Sequence, residues 1–272
     1  MFLSHAACFV SDDFAPKTEG MTPDSGISTD AVAPFVPLIV WVDNLRSEAV
    51  FDVNTSAVDS KGNIYLAGSC KSDKSITIGN QDHPAIRNSP QTLDYFIVSL
   101  DTDGDFRWFQ RFGTDSTVSE EVLERDEIYE IIFDENDNLY LAGQYRGTLT
   151  IQGLADNLTA PPSKTAAFVV SFDKEGNVRW LQSYTREEPE SSLWASYASS
   201  LTIDSDGQLQ VLLHSYGPTS SYLISVLEVR AYALETGDSE VAAKEIARGN
   251  LTRKPTIRSR GEKGLIIGGG FV

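Results

Sequence analysis

Two stretches, SLDTDGDFRWFQRFG at 99–113 and SFDKEGNVRWLQSYT at 171–185, spell nearly the same short hairpin 72 residues apart. In each, a run rich in β-branched and aromatic residues enters an Asp-led turn, DTDGD or DKEGN, and leaves it into a second strand carrying Arg-Trp. Asp101 and Asp173 are placed to accept hydrogen bonds from the amides that follow them, and Gly104 and Gly176 supply the positive φ of a tight turn. Trp108 and Trp180 come four residues after those glycines. A ring of that size on the outer strand of a sheet is expected to cover the neighbouring sheet, where its burial contributes roughly 2–3 kcal/mol.

A second element repeats in the same long period. NIYLAG (63–68) and NLYLAG (138–143) are offset by 75 residues, follow turns led by Asp59 and Asp134, and end on Gly68 and Gly143. IDSDGQLQVLL (203–213) is a third copy, with Leu213 where the strand-ending glycine stood, and RSRGEKGLIIGG (258–269) begins a fourth. A long period filled by strands points to a radial or solenoidal β array. Each unit reads as four strands: VFDVNTSAVD or EIYEIIFD, NIYLAGSC or NLYLAGQY, DYFIVSLD or AAFVVSFD, and DFRWFQRFG or NVRWLQSYT.

The fold class expected is therefore all-β: an incomplete β-propeller of about three four-stranded blades with partial blades at both ends, an open arc rather than a closed ring. Residues 1–35 read as a leader or tether and 36–272 as the partial propeller, with blades at about 48–113, 126–185 and 194–247 and the start of another at 254–272. PLIVWVDNL (37–45) reads as a fourth strand whose blade is otherwise missing, and GLIIGGGFV (264–272) matches NIYLAGSC and then stops. On that reading the chain is a fragment of a longer propeller. Leu265, Ile266 and Ile267 would lie at an exposed edge that favours self-association.

Taken together, D-x-x-G-N-x-Y-L-A-G followed by F-I-V-S-L-D-x-D-G-x-x-x-W resembles the bacterial SBBP-type β-propeller repeat family. The residues that carry the likeness are Asp59, Gly62, Asn63, Tyr65 to Gly68, Phe96 to Leu100, Asp101, Asp103, Gly104 and Trp108 in the first unit. In the second they are Asp134, Asn138, Tyr140 to Gly143, Phe168 to Phe172, Asp173, Gly176 and Trp180. The likeness spans about 48–213 well and 214–272 weakly, and ALETGDSEVAAKE in the third unit lacks the Trp, which puts its packing in doubt. The resemblance implies an exported or surface-associated bacterial protein with no assigned catalytic residues.

Composition narrows the partners. A formal charge of −17 and a pI near 4.5 argue against nucleic acid, which needs clustered Lys and Arg to displace counterions. Two cysteines, Cys8 and Cys70, are too few for a disulfide framework, and no apolar run is long enough for a transmembrane helix. Two readings of MFLSHAAC stand: an unstructured leader with an incidental cysteine, or the end of a bacterial lipoprotein signal with Cys8 as the lipid-bearing residue. The second lacks a basic n-region and a full apolar h-region, and His5 stands where a Leu is usual.

No catalytic constellation is visible. A quinoprotein-type propeller is the enzymatic alternative, but its Asp-to-Gly step is normally four residues and here it is three. Calcium is not expected at DTDGD or DENDN, because the twelfth position of an EF-type loop would be Phe112 or Tyr145 instead of Glu. His5, His83 and His214 lie in no nucleophile motif, and His83 reads as solvated in a long insertion between second and third strands. No zinc spacing occurs, and sequons at Asn54, Asn157 and Asn250 would matter only in a glycosylating eukaryote. No cofactor or metal is therefore expected.

Partner contacts are expected on loops. The insertions at 79–94 and 153–166 share one face, and the acidic linkers 113–127 and 185–194 are assigned a face of their own. The functional expectation is a non-catalytic scaffold or binding module of the cell envelope or exterior, with an unknown protein or glycan partner. An envelope assembly lipoprotein is a further alternative.

Overall fold

A computed structural model describes residues 45–47, 51–71, 73, 75–78, 81–84, 93–114, 127–154, 157–162, 164–186, 195–218, 223–239, 242–249, 251–261 and 264–271. All belong to the unit Val42–Val272. They form strands and turns only: β1 (Leu45–Ser47), β2 (Phe51–Val58), β3 (Ile64–Lys71), β4 (Ile76–Ile78), β5 (Gln81–His83), β6 (Leu93–Leu100), β7 (Phe106–Thr114), β8 (Glu127–Phe133), β9 (Leu139–Tyr145) and β10 (Thr148–Thr150). There follow β11 (Leu158–Thr159), β12 (Ala166–Phe172), β13 (Val178–Tyr184), β14 (Ala195–Ile203), β15 (Gln208–Pro218), β16 (Leu223–Ala233), β17 (Lys244–Gly249), β18 (Leu251–Ser259) and β19 (Leu265–Phe271).

Short polar turns between apolar runs force each strand back beside the one before it, so the strands pair as antiparallel meanders. The meander is four strands long three times: β2-β3-β6-β7, β8-β9-β12-β13 and β14-β15-β16-β17. A fourth, two-stranded sheet is β18-β19, and β1-β4-β5 form a small sheet of their own. The first strand of each meander carries a bulge, between Val53 and Thr55, Ile128 and Glu130, and Ala198 and Ser200. In β18 there are two shifts, between Leu251 and Arg253 and between Arg253 and Thr256, the second where Pro255 needs no ladder hydrogen bond.

Strand direction corrects one expectation. In a four-strand meander the 2–3 connection and the exit to the next sheet lie at the same end, opposite the Asp-led turns. The insertions and the acidic linkers thus share an end instead of occupying separate faces. Residues 115–126 and 187–194 of those linkers fall outside the described residues, but the strand ends that flank them, Thr114 and Glu127, and Arg186 and Ala195, fix the end. The insertions are not plain loops either. The first forms the β4-β5 hairpin, whose β4 pairs with β1, and the second forms β10-β11, whose β10 pairs with the end of β7 through Leu149↔Thr114 and Thr150↔Gly113.

Two apolar layers join consecutive sheets. Tyr65, Tyr95, Ile97 and Phe112 of the first pack on Ile131, Leu141, Phe168 and Phe172 of the second. The far face of the second sheet, with Tyr140, Val169 and Trp180, meets Leu201, Val211, Leu213 and Tyr232 of the third. A third layer lies on the outer side of the first sheet, where Ile76 and Ile78 of β4 cover Phe96, Val98 and Leu100. Among the described residues no helix is long and apolar enough to cross a membrane.

Candidate functional site

The Asp-led turns are built alike five times. One oxygen, Oδ1, of Asp59, Asp101, Asp134, Asp173 and Asp204 accepts from the amides two and four residues on, at 2.8–3.0 Å. The second oxygen is used as well at four of them, Asp173 Oδ2 accepting from Asn177 Nδ2 at 2.9 Å and Asp204 Oδ2 from Gln210 Nε2 at 2.7 Å. Asp59 Oδ2 accepts from Asn63 Nδ2 at 2.7 Å and the Tyr65 hydroxyl at 3.1 Å, and Asp134 Oδ2 from Asn138 Nδ2 at 2.8 Å and the Tyr140 hydroxyl at 2.9 Å. Those hydroxyls in turn accept from Arg107 and Arg179, the residues just before the repeated tryptophans. Burial opposes the charge on Asp59, but hydrogen bonds from Asn63, Lys61 and Tyr65 outweigh it and hold the carboxyl below its ordinary range. Burial and the neighbouring Asp134 carboxylate push the Tyr140 hydroxyl up.

Glycine is required in these turns for two reasons. Gly104 and Gly176 have φ of 86° and 87°, and Gly176 also lies under Trp108, where an added Cβ would come within 2.6 Å of the ring. Trp108 Nε1 donates to the Lys174 carbonyl at 3.0 Å, so the indole of one sheet is fastened to the turn of the next. Trp180 repeats the arrangement on Gly237, with Nε1 donating to the Leu234 carbonyl at 2.9 Å and a Cβ clash at 2.5 Å. The third hairpin, in doubt because it lacks the Trp, is the receiver of Trp180. Gly68 and Gly143 serve another purpose. A Cβ there would fall 1.8 Å from the Asp52 carbonyl oxygen or 2.4 Å from that of Glu127, because the bulged first strand crosses closely above.

Asp137 takes the glycine's place in the second unit with φ 61°, and its carboxylate accepts from the Ser60 amide at 3.1 Å and the Ser60 hydroxyl at 3.0 Å. The turns led by Asp59 and Asp134, which follow the first strands of the first and second sheets, are thereby tied to each other.

The first strands of the sheets bring together a polar cluster that the repeat pattern does not announce. Glu130, just past the bulge of β8, accepts at Oε2 from the Ser200 hydroxyl at 2.7 Å and the Leu201 amide at 2.6 Å, and its Oε1 meets Arg258 Nη2 at 3.0 Å. Ser200 accepts from the Ile257 amide at 3.2 Å and Arg258 Nη1 at 3.1 Å, and Thr202 from the Ser259 amide at 2.9 Å. One carboxylate therefore links the second, third and fourth sheets. Beside it is an open groove of about 330 Å³ lined by Glu130, Ile132, Phe133, Leu201, Ile203 and Arg258. At the strand ends nearest the bulges, Lys254 Nζ stands 4.6 Å over the Tyr129 ring, and Tyr197 contacts Tyr129, His214 and Tyr216. Within the groove, the Glu130 carboxylate and the Arg258 guanidinium beside the Phe133 ring can hydrogen-bond and stack on a polar partner. Ser200 itself is 1% exposed, which suits a structural hydroxyl better than a nucleophile. The sequence signal for the cluster was the lone Glu inside the apolar run IYEIIF (128–133).

Other expected residues lie apart from this groove. His83 is not solvated: it is half-buried on β5, its ring 4.2 Å from that of Phe109, and burial lowers its pKa. Cys70 is a free, buried thiol pushed up to about 12 by burial. Arg111 and Asp94 form a buried ion pair at 2.9 Å within the first sheet. Cys8, residues 1–35 and most of PLIVWVDNL lie outside the described residues. Among the described residues no group of three or more His, Cys, Asp or Glu is placed to hold a metal ion. No protein-family model matches the chain, and no curated protein matches its sequence.

Proposed function

We propose that the chain is a non-catalytic β-propeller-repeat protein of the bacterial cell envelope or exterior, its consecutive sheets serving as blades, that works as a scaffold or binding module for a protein or glycan. The observation that carries the reading is the twice-repeated fastening of Trp108 to the 173–176 turn and of Trp180 to the 234–237 turn, which passes stacking from one four-stranded meander to the next. The SBBP-type motif supports the same reading, because the residues that define it are the ones engaged in these turns and contacts. The repeated Asp, Arg and Trp side chains are taken up in holding blades, which leaves the first-strand groove and the insertion end for a partner.

The test mixes purified full-length chain with washed bacterial envelope fractions and follows sedimentation, alongside an absorption spectrum after addition of quinone and calcium. The reading expects saturable co-sedimentation and no stoichiometric chromophore. A tightly held quinone, or no retention on any envelope fraction, would overturn it.

A further inference from the structure

We propose that the first-strand groove binds the C-terminal carboxylate of a peptide partner that ends in a large apolar residue; the inference rests on reading that groove as a partner site. Ile132 and Phe133 of β8 and Leu201 and Ile203 of β14 give it an apolar wall. Arg258 of β18, its side chain 59% exposed, is the cation among the lining residues.

The guanidinium is held in place without being used up. Nη1 donates to the Ser200 hydroxyl at 3.1 Å and to the Ile257 carbonyl at 2.7 Å, and Nη2 stands 3.0 Å from Glu130 Oε1. Nε has no acceptor among the described residues. In any arginine the Nε–H and one Nη2–H run parallel, a fork that fits the two oxygens of a carboxylate. The other polar groups of the groove are largely committed. Glu130 Oε2 takes the Ser200 hydroxyl and the Leu201 amide, Ser200 also accepts from the Ile257 amide, and Thr202 accepts from the Ser259 amide. A sugar needs several hydroxyl partners at once and would find few here. A chain terminus instead sets one carboxylate directly beside one side chain, which matches a single fork beside an apolar wall. A volume of about 330 Å³ lies at the small end of ligand pockets, with room for about one or two residues. An internal acidic residue would have to carry chain out of that space on both sides. Glu130 is the counter-charge with which a bound carboxylate must share Arg258, so the two members of this ion pair act on binding in opposite directions.

The test follows fluorescence anisotropy of a fluorescein-labelled glycine–serine peptide ending in leucine, as the free acid and as the C-terminal amide, with the purified full-length chain. An amidated peptide with an internal glutamate and an oligogalacturonate serve as competitors. The free acid should bind at least about tenfold more tightly than the amide. Arg258→Gln should erase that difference. Glu130→Gln, which keeps an oxygen for Ser200 and Leu201, should tighten binding of the free acid. Both variants break the same ion pair, so a merely structural pair would move binding one way in both. Ile203→Ser should weaken acid and amide alike. Equal binding of acid and amide, preference for the internal glutamate or the oligogalacturonate, or a Glu130→Gln variant that binds less well would each overturn the proposal. No preference for the free acid in a chain that envelope fractions still retain overturns the groove assignment and leaves the binding-module reading standing; absence of retention overturns that reading itself.

Discussion

Trp108 and Trp180 occupy equivalent places in sequence yet differ in burial, Trp180 being 6% exposed while Trp108 is only half-buried. The cost of a cavity grows with how completely the removed ring was enclosed, so Trp180→Ala should lower stability by about 3–5 kcal/mol and Trp108→Ala by less. Urea unfolding of both variants checks the order, and an equal or reversed pair of values would count against the packing described. His214 gives a pH prediction. Its ring packs against Tyr197 and Tyr216, Nε2 is buried without a hydrogen-bond partner, and burial brings its pKa from 6.5 down to about 4. The unfolded chain then takes up the proton first, so the stability tied to the neutral ring is intact above about pH 6.5 and is lost as pH falls toward 4, by up to about 3 kcal/mol. The parent should lose more stability between pH 7.5 and 4.5 than His214→Phe does. Equal losses would show that the ring titrates freely. At this scale the sequence revealed the turn aspartates and the tryptophans because they recur in register. Glu130 and Arg258 escaped, because each occurs once and only the bulges bring them to one place.

The Asp-led turn is the smallest repeated element, and its geometry predicts its tolerance. Asp101 and Asp173 each use Oδ1 for two backbone amides, which an amide oxygen can also accept, and the further bond from Asn177 Nδ2 to Asp173 Oδ2 can be kept in reverse once the exposed Asn177 amide turns over. Asp101→Asn and Asp173→Asn should therefore cost about 1 kcal/mol or less, and thermal midpoints should not move with millimolar calcium in parent or variants. A parent midpoint that climbs with calcium, and variants that do not follow, would reveal a metal site in these turns. The strands themselves were legible from alternation and turn residues. The hairpins β4-β5 and β10-β11 were not, because three-residue strands carry too little pattern and owe their pairing to the edge of an adjacent strand.

At the scale of the whole chain, the four-strand period and the order of the sheets followed from spacing alone. The manner in which sheets hold one another did not, since it depends on hydrogen bonds between residues far apart in sequence, such as Trp180 to Leu234, Glu130 to Leu201 and Ser60 to Asp137. The central claim is that a tryptophan on one meander seats on the turn glycine of the next. A double-mutant cycle of Trp108→Ala and Gly176→Ala, read by urea unfolding, tests it most directly. With the ring in place the new methyl group meets both the indole and an unfavourable φ, so Gly176→Ala should cost about 2–4 kcal/mol; with the ring removed, only the backbone cost of about 1 kcal/mol should remain. Coupling of at least about 1 kcal/mol is the predicted result, and strictly additive effects of the two substitutions would contradict the account.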